Sequence, residues 1–211
     1  MGKPRRLGEI VAVSTTEFTA QSYELNEAPA YGSLVIVGKA PPRAGDHAAE
    51  RPAPISQHYG VCYQVQTSGI EAGRHAVAWG RDEADDVDIY RRQPQLAQVL
   101  QTTWTCLLVG YQGADGRVVQ RVPAAPPRMH AFVYEALAGD VCAFHGELGY
   151  LRFILRSAAP GVEDLLAACI RQAYECAGRD EAVLLEASRA VARLMAGDHA
   201  RLMSVLELLE V

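Results

Sequence analysis

The residues of this chain that could do chemistry are an acidic run, six histidines, five cysteines and a scatter of arginines. The acids Asp82, Glu83, Asp85, Asp86 and Asp88 crowd one stretch. Their carboxylates suit a hard cation, but a calcium loop wants acids at alternating positions with a glycine at the sixth. That spacing is not met, and a solvated loop is expected. The histidines stand at positions 47, 58, 75, 130, 145 and 199. None forms H-x-x-x-H, or H-x-E with a cysteine pair downstream, so the spacing gives zinc no support. Cys142 and His145 make a C-x-x-H pair with no second pair to complete it. The sequence has no G-x-S-x-G, and a Cys–His dyad, whose members meet in space, leaves no spacing to read. Lysine occurs only at Lys3 and Lys39. Neither lies in the G-x-x-x-x-G-K-[ST] setting whose backbone amides and lysine hold phosphates. No catalytic residue, cofactor or metal ligand is assigned.

One stretch stands out by charge. Gly116 to Tyr134 contains Arg117, Arg121, Arg128 and His130 and no acid, in a chain of net charge −5. These three arginines are the candidate contact residues for an acidic partner. They are far short of a nucleic-acid footprint, and few aromatic side chains lie near them in sequence to stack on bases. A solvated hairpin, or ion pairs to the acidic run, is the plainer expectation, and Arg91-Arg92 carries the same ambiguity.

The five cysteines are odd in number and form no C-x-x-C. Free thiols, no disulfide and a reducing, cytoplasmic setting are expected. Cys169 and Cys176 would lie roughly 10 Å apart along a helix, too far to bridge. The basic start through Arg6 is not followed by an apolar h-region, so no signal peptide is read. No run approaches the ~18 apolar residues of a membrane span.

The elements that must position these residues change character partway along the chain. Glu9 to Ser14, Glu17 to Tyr23, His58 to Thr67 and Gln101 to Tyr111 alternate or run apolar as strands do. Ser33 to Val37 is a short apolar run of a buried strand. Arg117 to Val122 returns from the Gly113–Gly116 turn as a hairpin arm, and Ala131 to Tyr134 is a last strand. Residues 39–57, rich in proline and alanine, are expected to be a mobile loop. Ser68 to Asp88 reads as irregular, followed by a short helix from Pro94 to Val99.

From about Ala138 the apolar period lengthens. Val162, Leu165, Leu166, Cys169, Ile170 and Ala173 mark one amphipathic helix. Gly178 stops it and Asp180 is placed to cap the next, whose stripe runs from Leu184 to Met195. Gly197-Asp198 repeats the signal ahead of a third helix. Asp140 to Arg156 is a bridge in which Gly149 to Ser157 allows a further helix. Leu202, Leu206 and Leu209 of the last helix are the apolar residues expected to reach a partner. The fold class is α+β: a six-stranded antiparallel-type β-barrel over residues 7–136, then a helical subdomain over 137–211.

The order of the front half carries a resemblance. Gly8-Glu9-Ile10-Val11 is followed by Thr16-Glu17-Phe18-Thr19-Ala20, then Gly32-Ser33-Leu34-Val35-Ile36-Val37. Tyr59-Gly60-Val61-Cys62-Tyr63-Gln64-Val65 follows, then the long strand ending Val109-Gly110-Tyr111 and the Asp115-Gly116 turn. Val122-Pro123 through Pro127, with Phe132-Val133-Tyr134-Glu135, closes the set. This resembles the HAS-barrel family, named for HerA and ATP synthase, over roughly Leu7 to Ala136. In that family the barrel precedes a nucleotide-binding domain and helps subunits pack into rings. This sequence has no phosphate-binding loop, so ATP hydrolysis does not carry over. The chain is similar to short stand-alone members that lack the ATPase.

The resemblance and the lack of catalytic motifs imply a non-enzymatic assembly or adaptor protein, acting through a protein partner or self-association. Two alternatives belong to other classes: an accessory factor of a DNA- or RNA-processing ring ATPase, and a small-ligand binder or hydrolase at the barrel mouth.

Overall fold

A computed structural model of the chain describes residues 4–38, 55–71 and 77–209. The strands are β1 (Arg6–Val13), β2 (Glu17–Ser22), β3 (Leu34–Val37), β4 (Ile55–Gly69), β5 (Leu100–Gly113), β6 (Val118–Val119) and β7 (Phe132–Glu135). They pair in the order β2-β1-β7-β3-β4-β5-β6, all antiparallel, and β2 also pairs with β5. That last pairing closes a six-stranded barrel, and β6 adds to the outside of β5.

A barrel this narrow is filled by its own side chains. Ile10, Phe18, Ala20, Val35, Val37, Cys62, Trp104, Cys106, Leu108 and Val133 form the interior and are buried. Phe18 and Trp104 meet edge to face, with ring centroids 6.3 Å apart. Gly60 leaves room for the Phe18 ring, which a Cβ there would meet at 2.8 Å.

The strand positions expected from alternation hold, with differences at the ends. β4 starts at Ile55, so the end of the proline-rich stretch is strand: Ile55 and Gln57 pair with Gly113 and Gln112. Residues 39–54 lie outside the described residues. The hairpin arm shrinks to Val118–Val119. After it, Gln120 is buried and turns its side chain inward, which removes that part of the chain from a ladder.

The acidic run is loop only in its first part: Asp82, Glu83 and Asp85 precede a helix that holds Asp86 and Asp88. Asp85 caps α1 (Asp86–Arg92), its side chain accepting from the Val87 N–H at 3.0 Å. Asp86 and Asp88 sit in the first turn and Arg91 and Arg92 in the last, the arrangement that a helix dipole favours. Arg92 pairs with Glu83 at 3.0 Å and Arg91 with Asp88 at 3.1 Å. Glu83 and Asp88 are thus answered by neighbouring arginines. The short helix α2 (Leu96–Val99) begins two residues beyond Pro94.

The remaining helices are α3 (Ala138–His145), α4 (Leu151–Leu155), α5 (Val162–Cys176), α6 (Glu181–Leu194) and α7 (His199–Leu209). The bridge contains α3 as well as the expected α4. Both Gly–Asp signals operate as read. Gly178 and Gly197 take positive φ of 71° and 102°, and Asp180 accepts from the Ala182 N–H at 2.9 Å. Asp198 accepts from the Arg201 N–H at 3.2 Å. The α5 stripe is buried along its length, from Val162 through Leu165, Leu166, Cys169 and Ile170 to Ala173.

One apolar cluster joins these helices to the outer wall of β3, β4 and β5 through Leu34, Ile36, Tyr59, Val61, Leu107 and Val109. This explains why β3 is buried at every residue: its two faces belong to two cores. Contact with α5 is closest at Gly32, whose φ is +78° and whose added Cβ would lie 2.6 Å from the Ala168 Cβ. Gln172 Nε2 donates to the Gly32 carbonyl at 2.7 Å. Gly32→Ala is expected to destabilise the fold by about 2 kcal/mol, from left-handed strain and overpacking together. A urea melt read by circular dichroism checks it, and an unchanged midpoint would contradict this account of the seam.

Candidate interaction surface

Helices cover the outer wall of β3, β4 and β5, and among the described residues their apolar cluster does not reach β1, β7 and the exit of β2, which leaves that wall bare of described helices. The side chains there are unusual for bare wall. Val11, Tyr23, Met129 and Phe132 are exposed. The Arg6 guanidinium lies 4.9 Å from the Tyr23 ring centre and 4.7 Å from that of Phe132, stacked against both. Such contacts contribute roughly 0.5–1 kcal/mol each at an exposed site.

A β-bulge makes this arrangement. Arg6 pairs with Tyr134, Gly8 with Val133 and Glu9 with Phe132, so the register slips by one residue between Arg6 and Gly8. Residues three apart in a regular strand face opposite sides. The slip returns Arg6 and Glu9 to the same side as Phe132 and Tyr134.

Glu9 is the electrostatic centre of the patch. His130 Nδ1 lies 3.0 Å from its Oε1, and the Tyr23 hydroxyl donates to Oε2 at 3.2 Å. The His130 hydrogen bond, aided by Tyr23 and the charge of Arg6, holds the Glu9 carboxyl below its ordinary range. The Tyr23 phenol is pushed up by partial burial and by that carboxylate. His130 reaches Glu9 because its backbone takes φ of 62°, with its N–H bonded to the Ile10 carbonyl at 2.9 Å. Arg5, just outside, pairs with Glu27 at 2.7 Å and Glu135 at 3.5 Å.

The residues singled out in the sequence are placed differently. Arg117 lies just after the hairpin turn, Arg121 beyond β6 and Arg128 before β7, all exposed. In the acidic run, Asp88 pairs with Arg91 and Glu83 with Arg92. Leu209 is 7% exposed and belongs to the core, with Leu202 packed against that core and Leu206 half-buried. The leucine stripe of α7 therefore has an intramolecular partner in the fold.

The C-x-x-H pair does not act as one. Cys142 Sγ lies 3.8 Å from the Cys176 carbonyl, whereas His145 Nδ1 is 2.7 Å from the Tyr150 hydroxyl. That histidine belongs to a buried polar cluster. Gln120 donates from Nε2 to the Phe144 and Glu147 carbonyls at 2.7 and 2.8 Å, and its Oε1 accepts from the Tyr150 N–H at 3.0 Å. Cys169 borders the cluster and lies 3.8 Å from the Gly32 carbonyl.

Burial pushes the Cys169 thiol up to about 12 and the His145 imidazole down to about 4. Both are neutral near pH 7, the reverse of the electrostatics that activate a thiol. All five cysteines are free, including Cys62 and Cys106, which face each other across β4 and β5.

His58 is half-buried with Nε2 2.9 Å from the Ala125 carbonyl, and burial lowers its pKa. His47 and His75 lie outside the described residues. Among the described residues no group of three or more histidines, cysteines or acids could hold a metal. No described helix is long and apolar enough to cross a membrane.

Sequence reading missed the bare-wall patch. Its members come from β1, the exit of β2, the loop at His130 and β7, and only the bulge brings them together. The available signal was aromatic residues at strand positions facing no partner. Compared with protein-family models and with curated proteins, the chain matches none.

Proposed function

We propose that this protein is an assembly or adaptor module on a HAS-like barrel. On this reading it works in the cytoplasm through protein–protein contacts and performs no chemistry of its own. The observation that carries the reading is the bare wall. Tyrosine, phenylalanine, methionine and arginine are the side chains enriched at interface centres. Here they are exposed on β1, β7 and the adjoining turns, with Arg6 held between two rings. A pre-ordered arginine loses little freedom on docking, which lowers the cost of binding. The filled barrel interior favours a surface function over a ligand held inside. The free thiols fit a reducing compartment.

The test is a photo-crosslinking residue at position 132, in cells of the source organism, with one at exposed Glu186 as control. One protein should be captured from 132 and not from 186. The same protein, purified, should bind this chain and lose about tenfold or more in affinity on Tyr23→Ala or Arg6→Ala, the loss of a hot-spot residue. Equal binding by both variants would remove the wall from the account. A turnover abolished by changing one histidine or cysteine would overturn the non-enzymatic reading.

A further inference from the structure

The β4–β5 ladder outgrows the barrel. β3 accompanies β4 only from His58 to Val61, and the Cys62 N–H and carbonyl are taken by Ser33 and Gly32. From Tyr63 to Gly69, β4 has one neighbouring strand among the described residues, β5. Its other edge offers the backbone donors and acceptors that do not point at β5. Gln64 through Thr67 are exposed, and Val65 is 47% exposed.

Proteins blunt such edges with lysine, proline, inward charges or bulges. From Gln64 onward this edge has none of them, the last bulge of β4 lying between Cys62 and Gln64. Tyr63-Gln64-Val65-Gln66-Thr67-Ser68-Gly69 contains no charge and no proline. The register with β5 then runs unbroken from Gln64 to Gly69.

The geometry points to a second copy of this chain as the occupant, its own Gln64–Ser68 edge adding antiparallel to this one. The stretch is self-complementary about its middle residue. A two-fold through Gln66 sets Gln64 opposite Ser68, Val65 opposite Thr67 and Gln66 opposite itself. Each pairing is sterically and electrostatically compatible: a β-branched pair on one face, hydrogen-bonding polar pairs on the other, no like charges. An isologous contact of this kind closes on itself and stops at a dimer. The joined arms form a four-stranded sheet, and Ile70 and Val99 at each arm tip add exposed apolar surface at its ends. This deepens the assembly reading by naming one partner, and it uses a surface separate from the bare wall.

Sedimentation velocity on the full chain over a range of concentrations tests it. The wild type is expected to be a dimer. Because Gln66 faces itself, Gln66→Lys and Gln66→Glu should each weaken the dimer roughly fivefold, the effect of about 1 kcal/mol of like-charge repulsion. An equimolar mixture of the two should restore a heterodimer, which no unfolding or general charge effect would produce. Val65→Lys should weaken the dimer as well. A wild type that stays monomeric at its highest soluble concentration would overturn the proposal, and so would a dimer indifferent to all three substitutions. A dimer that weakens without rescue by the mixture would overturn the two-fold register. Crosslinking from position 132 in the Val65→Lys protein separates the readings, because partner capture there persists if only the edge contact is wrong.

Discussion

Trp104→Ala should lower the stability of the fold by about 3–5 kcal/mol, the range for deleting a buried aromatic side chain. For a chain of this length that corresponds to a fall of about 10 °C in Tm. Trp104 is 1% exposed and sits on β5 at the seam with β2. It packs edge to face on Phe18 of β2, and its Nε1 donates to the Ser22 hydroxyl at 2.9 Å. The substitution therefore opens a cavity at the pairing that closes the barrel and leaves Ser22 without its donor. Little can relax into the space, because the neighbouring wall residues Ala20 and Cys106 are small and held in the ladder. Urea unfolding followed by far-ultraviolet circular dichroism measures the change. A loss below about 1 kcal/mol, the size of an ordinary substitution, would mean that the interior is not packed as described.

Acid should unfold the protein earlier than its carboxylates alone require. The cause is His145, 4% exposed with Nε2 lacking a hydrogen-bond partner. Burial lowers its pKa from 6.5 to about 4, opposed in part by the nearby Gln172 side chain. The unfolded chain takes up a proton below pH 6.5 while the folded protein resists until about pH 4. Stability from this group is complete above pH 6.5 and falls as pH drops through that window. The total loss is about 3 kcal/mol, at 1.36 kcal/mol per unit of pKa difference. Denaturant midpoints at several pH values between 7 and 4 should trace the fall. His145→Gln, which cannot ionise, should flatten it, and a variant as acid-sensitive as the parent would place the titration elsewhere. Glu9 acts lower on the scale, since its depressed pKa contributes stability that is lost only as pH falls through the carboxylate range.

The parts of the fold readable in sequence were those with a repeating pattern. Alternation located the strands of the barrel, and the stripe from Val162 to Ala173, with glycine–aspartate stops, located the last three helices. Patterns failed where a local device replaced periodicity. Asp82 to Asp88 read as a solvated loop, and Asp82, Glu83 and Asp85 do precede the helix, but the cap at Asp85 and the helical turn from Asp86, which buries no residue, had no stripe to announce them. α3 carries Gly139 and has apolar residues on several sides, so no stripe announced it. Of the contact residues, Leu209 was already claimed by the core, and the exposed arginines of the hairpin region do not mark the patch. The patch depends on a one-residue slip between Arg6 and Gly8, and the buried cluster joins Gln120, His145 and Tyr150 from three separate segments. Neither a bulge nor a meeting of distant segments has a periodic signature.

The place of β7 has a consequence for how this chain is made. β7 lies between β1 and β3, so the first and third strands synthesised cannot be joined into one wall until Phe132–Glu135 has left the ribosome. At roughly 5–20 residues per second, β1 pairs with β2 early but waits several seconds or more for β7 on its other edge. The closing contact between Glu17–Gln21 and Thr103–Leu107 is also remote in sequence, and pairings of that kind slow folding. A chain cut short before residue 132 therefore lacks the strand that joins β1 to β3 and cannot close the barrel.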